Sequence, residues 1–200
     1  AMRKVIVPDT IFVCASAGNH AQGVAFMCRH FKVRGVVFMP VTTPPQKVMK
    51  TRMFGGSHVE VRMTGDYFDD TLASAQAYSA DVGAHFLSPF DDNDVIEGQA
   101  SVAVEIEAQL GRVPDRIILP VGGGGLSAGT RAYFENRTEY TFAEPKGATS
   151  LAEAIKIGRP VDVSPIDSFV DGAAVAKVGE RTFARLFDVS QSDILSISED

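Results

Sequence analysis

The stretch Pro120-Val121-Gly122-Gly123-Gly124-Gly125-Leu126-Ser127-Ala128-Gly129 decides how the rest of the chain is read. Arg116-Ile117-Ile118-Leu119 before it has the apolar character of a buried strand, and Leu126 to Asn136 after it has helix-forming composition. Four glycines between a strand and a helix have a physical use. Without Cβ atoms the backbone can approach a ligand closely and turn its N–H groups outward. The helix N-terminus adds roughly half a positive charge, so the expected guest is an anion, most often a phosphate. A flexible turn that merely needs positive φ is the plainer alternative, and the strand and helix contexts argue against it.

Outward from this loop, strands and helices alternate. Ile11–Ala15, Val36–Met39, His58–Val61, Phe86-Leu87, Tyr140–Ala143 and Ile194–Ile197 read as strands. Helices are expected over Ala21–Phe31, from Thr43-Pro44-Pro45 (with Thr43 as the capping hydroxyl) to Phe54, and from an Asp66 cap to about Val82. Further helices are expected from Asp92, over Ser150–Ile157 and over Glu180–Phe187. In the helix opened by Asp92, the residues Val95, Gln99, Val102, Ile106 and Leu110 recur at helical spacing and mark its apolar face. This alternation predicts an α/β protein, with parallel sheets and helices on both faces.

Composition narrows the function classes. The 200 residues are 45% hydrophobic and 22% charged, as in ordinary globular domains. A net charge of −6 without a Lys/Arg cluster speaks against nucleic acid as partner. No apolar run approaches the roughly 18 residues of a membrane span, so no membrane partner is expected. The N-terminus lacks a signal-peptide core, and Cys14 and Cys28 alone make no disulfide framework, which points to the cytoplasm. Cys28 and His30 have no second close pair for a metal, and His30, His58 and His85 are isolated and read as structural.

A second loop, Ser16-Ala17-Gly18-Asn19-His20, also joins a strand end to a helix start, the place where open α/β sheets hold ligands. Ser16 and Asn19 offer hydrogen-bonding side chains, and the following amides form an anion nest suited to a carboxylate or a phenolic oxygen. An N-cap turn is the structural alternative for the loop, as a packed surface histidine is for His20. A small phosphorylated cofactor would engage both loops.

Four stretches together resemble one enzyme family. They are Ser16-Ala17-Gly18-Asn19-His20-Ala21-Gln22-Gly23, Pro120 to Leu126, Glu144-Pro145-Lys146-Gly147-Ala148 and Phe169-Val170-Asp171-Gly172-Ala173-Ala174. With Thr42-Thr43-Pro44-Pro45-Gln46-Lys47 and Phe54-Gly55-Gly56, they resemble the threonine dehydratases (threonine deaminases), among the tryptophan-synthase-β-like, fold type II pyridoxal-phosphate enzymes. The resemblance implies a two-lobed catalytic domain, with 11–90 as the small lobe and 91–200 in the large one. Residues 1–10 are a candidate addition to the large lobe, and the cofactor is expected in the cleft between lobes. It implies pyridoxal 5′-phosphate as cofactor, gripped by Gly122, Gly123, Gly124, Gly125 and Leu126, with Asn19 on the pyridine 3′-oxygen. Ser16, Ala17, Gly18, Asn19 and His20 would receive the substrate carboxylate, and Gly172 would lie near the cofactor. The implied reaction is β-elimination of L-threonine to 2-oxobutanoate and ammonia, in isoleucine synthesis or threonine catabolism. A homo-oligomer, dimer or tetramer, acting on a small amino acid in the cytoplasm is implied as well. Related serine racemases carry a divalent cation near the glutamate matching Glu144, but one carboxylate used there falls at Ser150, so no metal is expected.

Departures from the pattern also carry expectations. The family's Schiff-base lysine lies in a Ser-x-Lys-x-Arg-Gly stretch upstream of the Asn-His loop, and nothing here matches it, since Lys4 is followed by Val5-Ile6-Val7. No catalytic residue is therefore identified. The residue facing the pyridine nitrogen, and any regulatory C-terminal domain, would lie beyond Asp200. The chain is expected to be an internal piece of the catalytic domain, inactive alone. Serine dehydratase and serine racemase are alternatives within the class. A nicotinamide-binding Rossmann unit, using Gly123-x-Gly125-x-x-Ala128 and Glu144, and a non-catalytic module that keeps the pocket are alternatives outside it.

Overall fold

Phe12 and Cys14 turn to one side of a sheet while Val13 and Ala15 turn to the other, and all four are buried. A strand apolar on both faces suits a parallel sheet sandwiched between helices. That strand, β1 (Ile11–Ala15), pairs in parallel with β2 (Arg34–Met39) and β4 (His85–Phe86), and β2 pairs in parallel with β3 (Val59–Met63), giving the order β3-β2-β1-β4. The register sets Ile11 opposite Arg34 and Gly35 opposite Val59, so Val37 and Met39 join Phe12 and Cys14 on one face. Helix α1 (Asn19–Phe31) covers that face with Ala21, Val24 and Cys28, and α2 (Pro45–Gly55) adds Val48. Helix α3 (Phe68–Asp81) covers the other face through Ala75 and Leu72. Gly35 permits the close approach of β2 to α1, since a Cβ there would lie 2.6 Å from the Cys28 sulfur.

The remaining elements are α4 (Asn93–Leu110), β5 (Arg116–Pro120), α5 (Gly125–Phe134), β6 (Glu139–Pro145), α6 (Ser150–Ile157), α7 (Glu180–Phe183) and β7 (Ile194–Ile197). Here the parallel strand order is β5-β6-β7, with Leu119 opposite Phe142 and Phe142 opposite Ile194. Ile117, Leu119, Val121, Phe134, Phe142, Leu151 and Leu186 form its core. The computed structural model describes residues 2–7, 9–66, 68–167, 169–170 and 172–198. They fall into two compact units, 1–89 and 90–200, each with its own sheet and its own core.

Several local expectations are corrected. Residues 1–10 were a candidate for the second unit, yet Met2 is buried in the same cluster as Phe12 and Leu87, with Val5 and Ile6 against it. Thr43 does not cap α2: Pro44 holds the cap position, no side chain caps the helix, and the buried Thr43 Oγ1 has no partner among the described residues. The expected Asp66 cap of α3 adjoins residue 67, which lies outside the described residues. On α4 the buried residues are Ile96 and Ala103, while Val102 and Leu110 of the expected face are 41% and 55% exposed. The cause is Gly129 on α5: a Cβ there would meet the Ile96 carbonyl oxygen at 2.5 Å and the Ala100 nitrogen at 2.8 Å. The two helices meet backbone to backbone over small residues, so the buried stripe runs beside the valines. Asp92 does cap α4, accepting the Asp94 and Val95 amides, and Gly111 ends the helix at φ 67°. Helix α7 is a single turn, where eight residues were expected.

Candidate functional site

Strand β5 is tied to β6 up to Pro120 opposite Ala143, and the Val121 amide then donates to the Ala143 carbonyl at 2.8 Å. There the pairing stops and the glycines begin. Gly124, the residue before α5, sits at φ 88°, a left-handed conformation open to glycine at little cost. A Cβ on Gly123 would fall inside the Phe90 ring, so that position needs glycine for space. Among the described residues, the backbone amides of Gly122, Gly123, Gly124, Gly125, Leu126 and Ser127 find no acceptor, and no side chain caps α5. Gly123, Gly124, Gly125 and Ser127 are buried, and the Ser127 hydroxyl also lacks a partner among those residues. A buried donor left unpaired costs about 1–3 kcal/mol. Consecutive unpaired donors at a helix start fit an anion with several acceptor oxygens, and a phosphate is such an anion. The residues present therefore fit a phosphorylated cofactor.

The carbonyls of the same loop are occupied. Gly122 O lies 3.4 Å from the Ser150 hydroxyl, Gly123 O accepts from the Thr182 hydroxyl at 2.7 Å and from the Gly179 amide at 3.2 Å, and Gly124 O accepts from the Ala128 amide at 2.8 Å. Ser150 and Thr182 were not singled out as contacts of the glycine loop from the sequence. Thr182 lies 59 residues from Gly123, and no local pattern marks so distant a partner.

Glu144, on β6, is fully buried, and its two carboxylate oxygens accept the Leu151 and Ala152 amides at 2.7 and 2.9 Å. Burial raises its pKa above the ordinary 4.5, while the two amides pull it down. The carboxylate thus caps α6, an engagement that leaves the nicotinamide alternative without its ribose-binding acid. Gly172 is exposed, while its neighbour Ala173 and Val175 meet the glycine loop, with Ala173 Cα 3.1 Å and a Val175 methyl 3.0 Å from where a Gly122 Cβ would stand. Asp171 of the same motif lies outside the described residues.

In the first unit, the Ser16 amide donates to the Phe38 carbonyl at 3.0 Å, extending the β1–β2 ladder into the second loop. Ser16 Oγ accepts the Gly18 amide at 3.1 Å, so one donor expected in the nest is already used inside the loop. The amides of Asn19, His20 and Ala21, the first turn of α1, have no acceptor among the described residues, and no side chain caps that helix. Asn19 is exposed, and Ala17 is half-buried between it and the strand. His20 reaches across its own unit, with Nε2 3.2 Å from the Leu87 carbonyl. Burial lowers its pKa below the ordinary 6.5, against the smaller opposing effect of that hydrogen bond. Among the described residues, no group of three or more His, Cys, Asp or Glu side chains is placed to hold a metal ion, and no helix is long and apolar enough to cross a membrane.

Comparison with known proteins places this arrangement. The chain is 47% identical over 193 residues to the L-threonine dehydratase biosynthetic IlvA of Lactococcus lactis, covering 94% of this chain and 46% of that protein. It is 46% identical over 190 residues to the protein of the same name from Bacillus subtilis, covering 94% of this chain and 45% of that one. The chain therefore spans about half the length of the curated relatives it matches. The structure of the processed form of threonine deaminase isoform 2 from Solanum lycopersicum superposes with a TM-score of 0.85 at 35% identity, over 98% of this chain and 58% of that one. The profile of the family described as pyridoxal-phosphate dependent enzyme matches residues 3–200. With nearly every residue inside that match, and with a glycine loop suited to the phosphate of its cofactor, the chain belongs to the pyridoxal-phosphate dependent enzyme family.

Proposed function

We propose that this chain is part of the catalytic domain of a pyridoxal-phosphate-dependent threonine dehydratase, which converts L-threonine to 2-oxobutanoate and ammonia. The observation that carries the reading is the row of unpaired amides from Gly122 to Ser127, in a chain 47% identical to a protein named threonine dehydratase. Gly122 to Gly125 and Leu126 donate to the cofactor phosphate. Asn19 binds the pyridine 3′-oxygen, and the first-turn amides of α1 with Ser16 take the substrate carboxylate. Gly172 and Ala173 border the phosphate loop. His20 donates its Nε2 proton to the Leu87 carbonyl and so positions the loop. The cofactor, when bound, supplies the electron sink for carbanion chemistry. Residues 1–89 serve as the small lobe and 90–200 as part of the large lobe of a homo-oligomeric cytoplasmic enzyme.

Titration with pyridoxal phosphate, followed by visible absorption, tests this reading. Saturable binding is expected, and G124A should weaken it at least tenfold, because a Cβ there is strained by about 1–2 kcal/mol in the left-handed region and its relief turns the donors. Absence of binding by the parent chain would overturn the assignment. Induced circular dichroism on adding L-threonine or L-serine at equal concentration separates the substrates, and an equal response would move the assignment to serine dehydratase or racemase.

A further inference from the structure

The amides of the phosphate loop are aimed by groups on the far side of the same peptide planes. In a trans peptide the C=O of one residue and the N–H of the next point in opposite directions. Among the described residues, the cis peptide is Ser164–Pro165, so the glycine loop is trans throughout. The Thr182 hydroxyl and the Gly179 amide hold the Gly123 carbonyl at 2.7 and 3.2 Å, which sends the Gly124 N–H the opposite way. Thr182 is fully buried, and its hydroxyl also reaches the Gly179 carbonyl at 3.1 Å. Its Oγ1 stands 3.0 Å from where a Gly124 Cβ would be, so it fills the side of the loop away from the donors. The Thr182 backbone is fixed in turn. The Asp91 carboxylate accepts the amides of Glu180, Arg181 and Thr182 at 3.2, 2.7 and 3.3 Å, which pins the single turn of α7 that carries the hydroxyl.

We infer that Thr182 is a positioning residue for cofactor binding, whose hydroxyl fixes the Gly123–Gly124 peptide plane and so aims the Gly124 amide at the phosphate. This rests on the glycine loop being the phosphate site. Loss of the hydroxyl leaves the plane with one donor, Gly179, and free to rock toward a competing orientation. Ser150 takes a lesser part, because its contact with the Gly122 carbonyl is 3.4 Å long.

The test uses pyridoxine 5′-phosphate and pyridoxine, which lack the aldehyde and bind without a lysine, titrated by ligand fluorescence against the 200-residue chain. T182V should weaken the phosphorylated ligand about three- to tenfold, the worth of one hydrogen bond, and leave the unphosphorylated ligand unchanged. T182S keeps the hydroxyl and should bind as the parent does. If T182V does not fold, T182A against T182S makes the same comparison. Equal weakening of both ligands, or no weakening of either, would overturn the role of Thr182 while leaving the phosphate site standing. Failure of the parent chain to prefer the phosphorylated ligand would overturn the phosphate site, and the Thr182 role with it.

Discussion

The imidazole of His20 has the Leu87 carbonyl as its hydrogen-bond partner, and a carbonyl can only accept, so Nε2 carries the proton and Nδ1 is bare. Burial holds the folded-state pKa below the ordinary 6.5, so between the two values the unfolded chain binds the extra proton. The contribution of His20 to stability is therefore whole above about pH 6.5, falls as the pH drops through that value, and levels off below the folded pKa. Thermal melts from pH 8 to pH 5 should show this decline, and H20Q, which cannot titrate, should flatten it. An unchanged slope in H20Q would assign the decline to other groups. The glycine loop was readable at this scale because its donors are consecutive in the chain. Ser16 shows the opposite: its hydroxyl was legible as a polar group, but its use on the Gly18 amide depends on a loop conformation that spacing does not specify.

At the scale of elements, Gly129 makes a sharp case because two effects of known size compete there. Replacing a mid-helix glycine by alanine gains up to about 1 kcal/mol in helix propensity. Yet the new methyl would stand 2.5 Å from the Ile96 oxygen and 2.8 Å from the Ala100 nitrogen, backbone atoms that cannot rotate away. Overpacking costs typically 1–3 kcal/mol, so G129A should lower stability by about 1–2 kcal/mol in denaturant unfolding. A stabilised G129A would mean that α4 and α5 can part freely. The same contact explains why the apolar periodicity of α4 pointed to Val102 and Leu110. Hydrophobic spacing finds a stripe of large side chains, whereas this interface is built from small ones, and Ile96 with Ala103 carries the burial. Boundaries suffered likewise at α7, where Glu180 to Phe187 has helical composition but Asp91 caps a single turn.

For the whole molecule, alternating strands and helices made the α/β class legible, because each βα step leaves its own apolar run and its own stop signal. The division into a four-stranded and a three-stranded sheet was not written in any such run. Strands apolar on both faces look alike wherever they pair, and pairing is decided by packing between residues far apart in sequence. The cysteines turn this division into an instrument. Both sit in the first unit, buried, and no cysteine occurs in residues 90–200. Burial drives the Cys14 thiol well above its ordinary pKa of 9.0 and pushes Cys28 up to about 12, so neither offers a thiolate near neutral pH. Alkylation must then wait until this unit opens, and its rate becomes a clock for that event alone. At pH 7.5 labelling should be slow in native buffer, quicken with mild denaturant and run faster in H20Q; prompt labelling without denaturant would mean that the first unit opens readily even in the native protein.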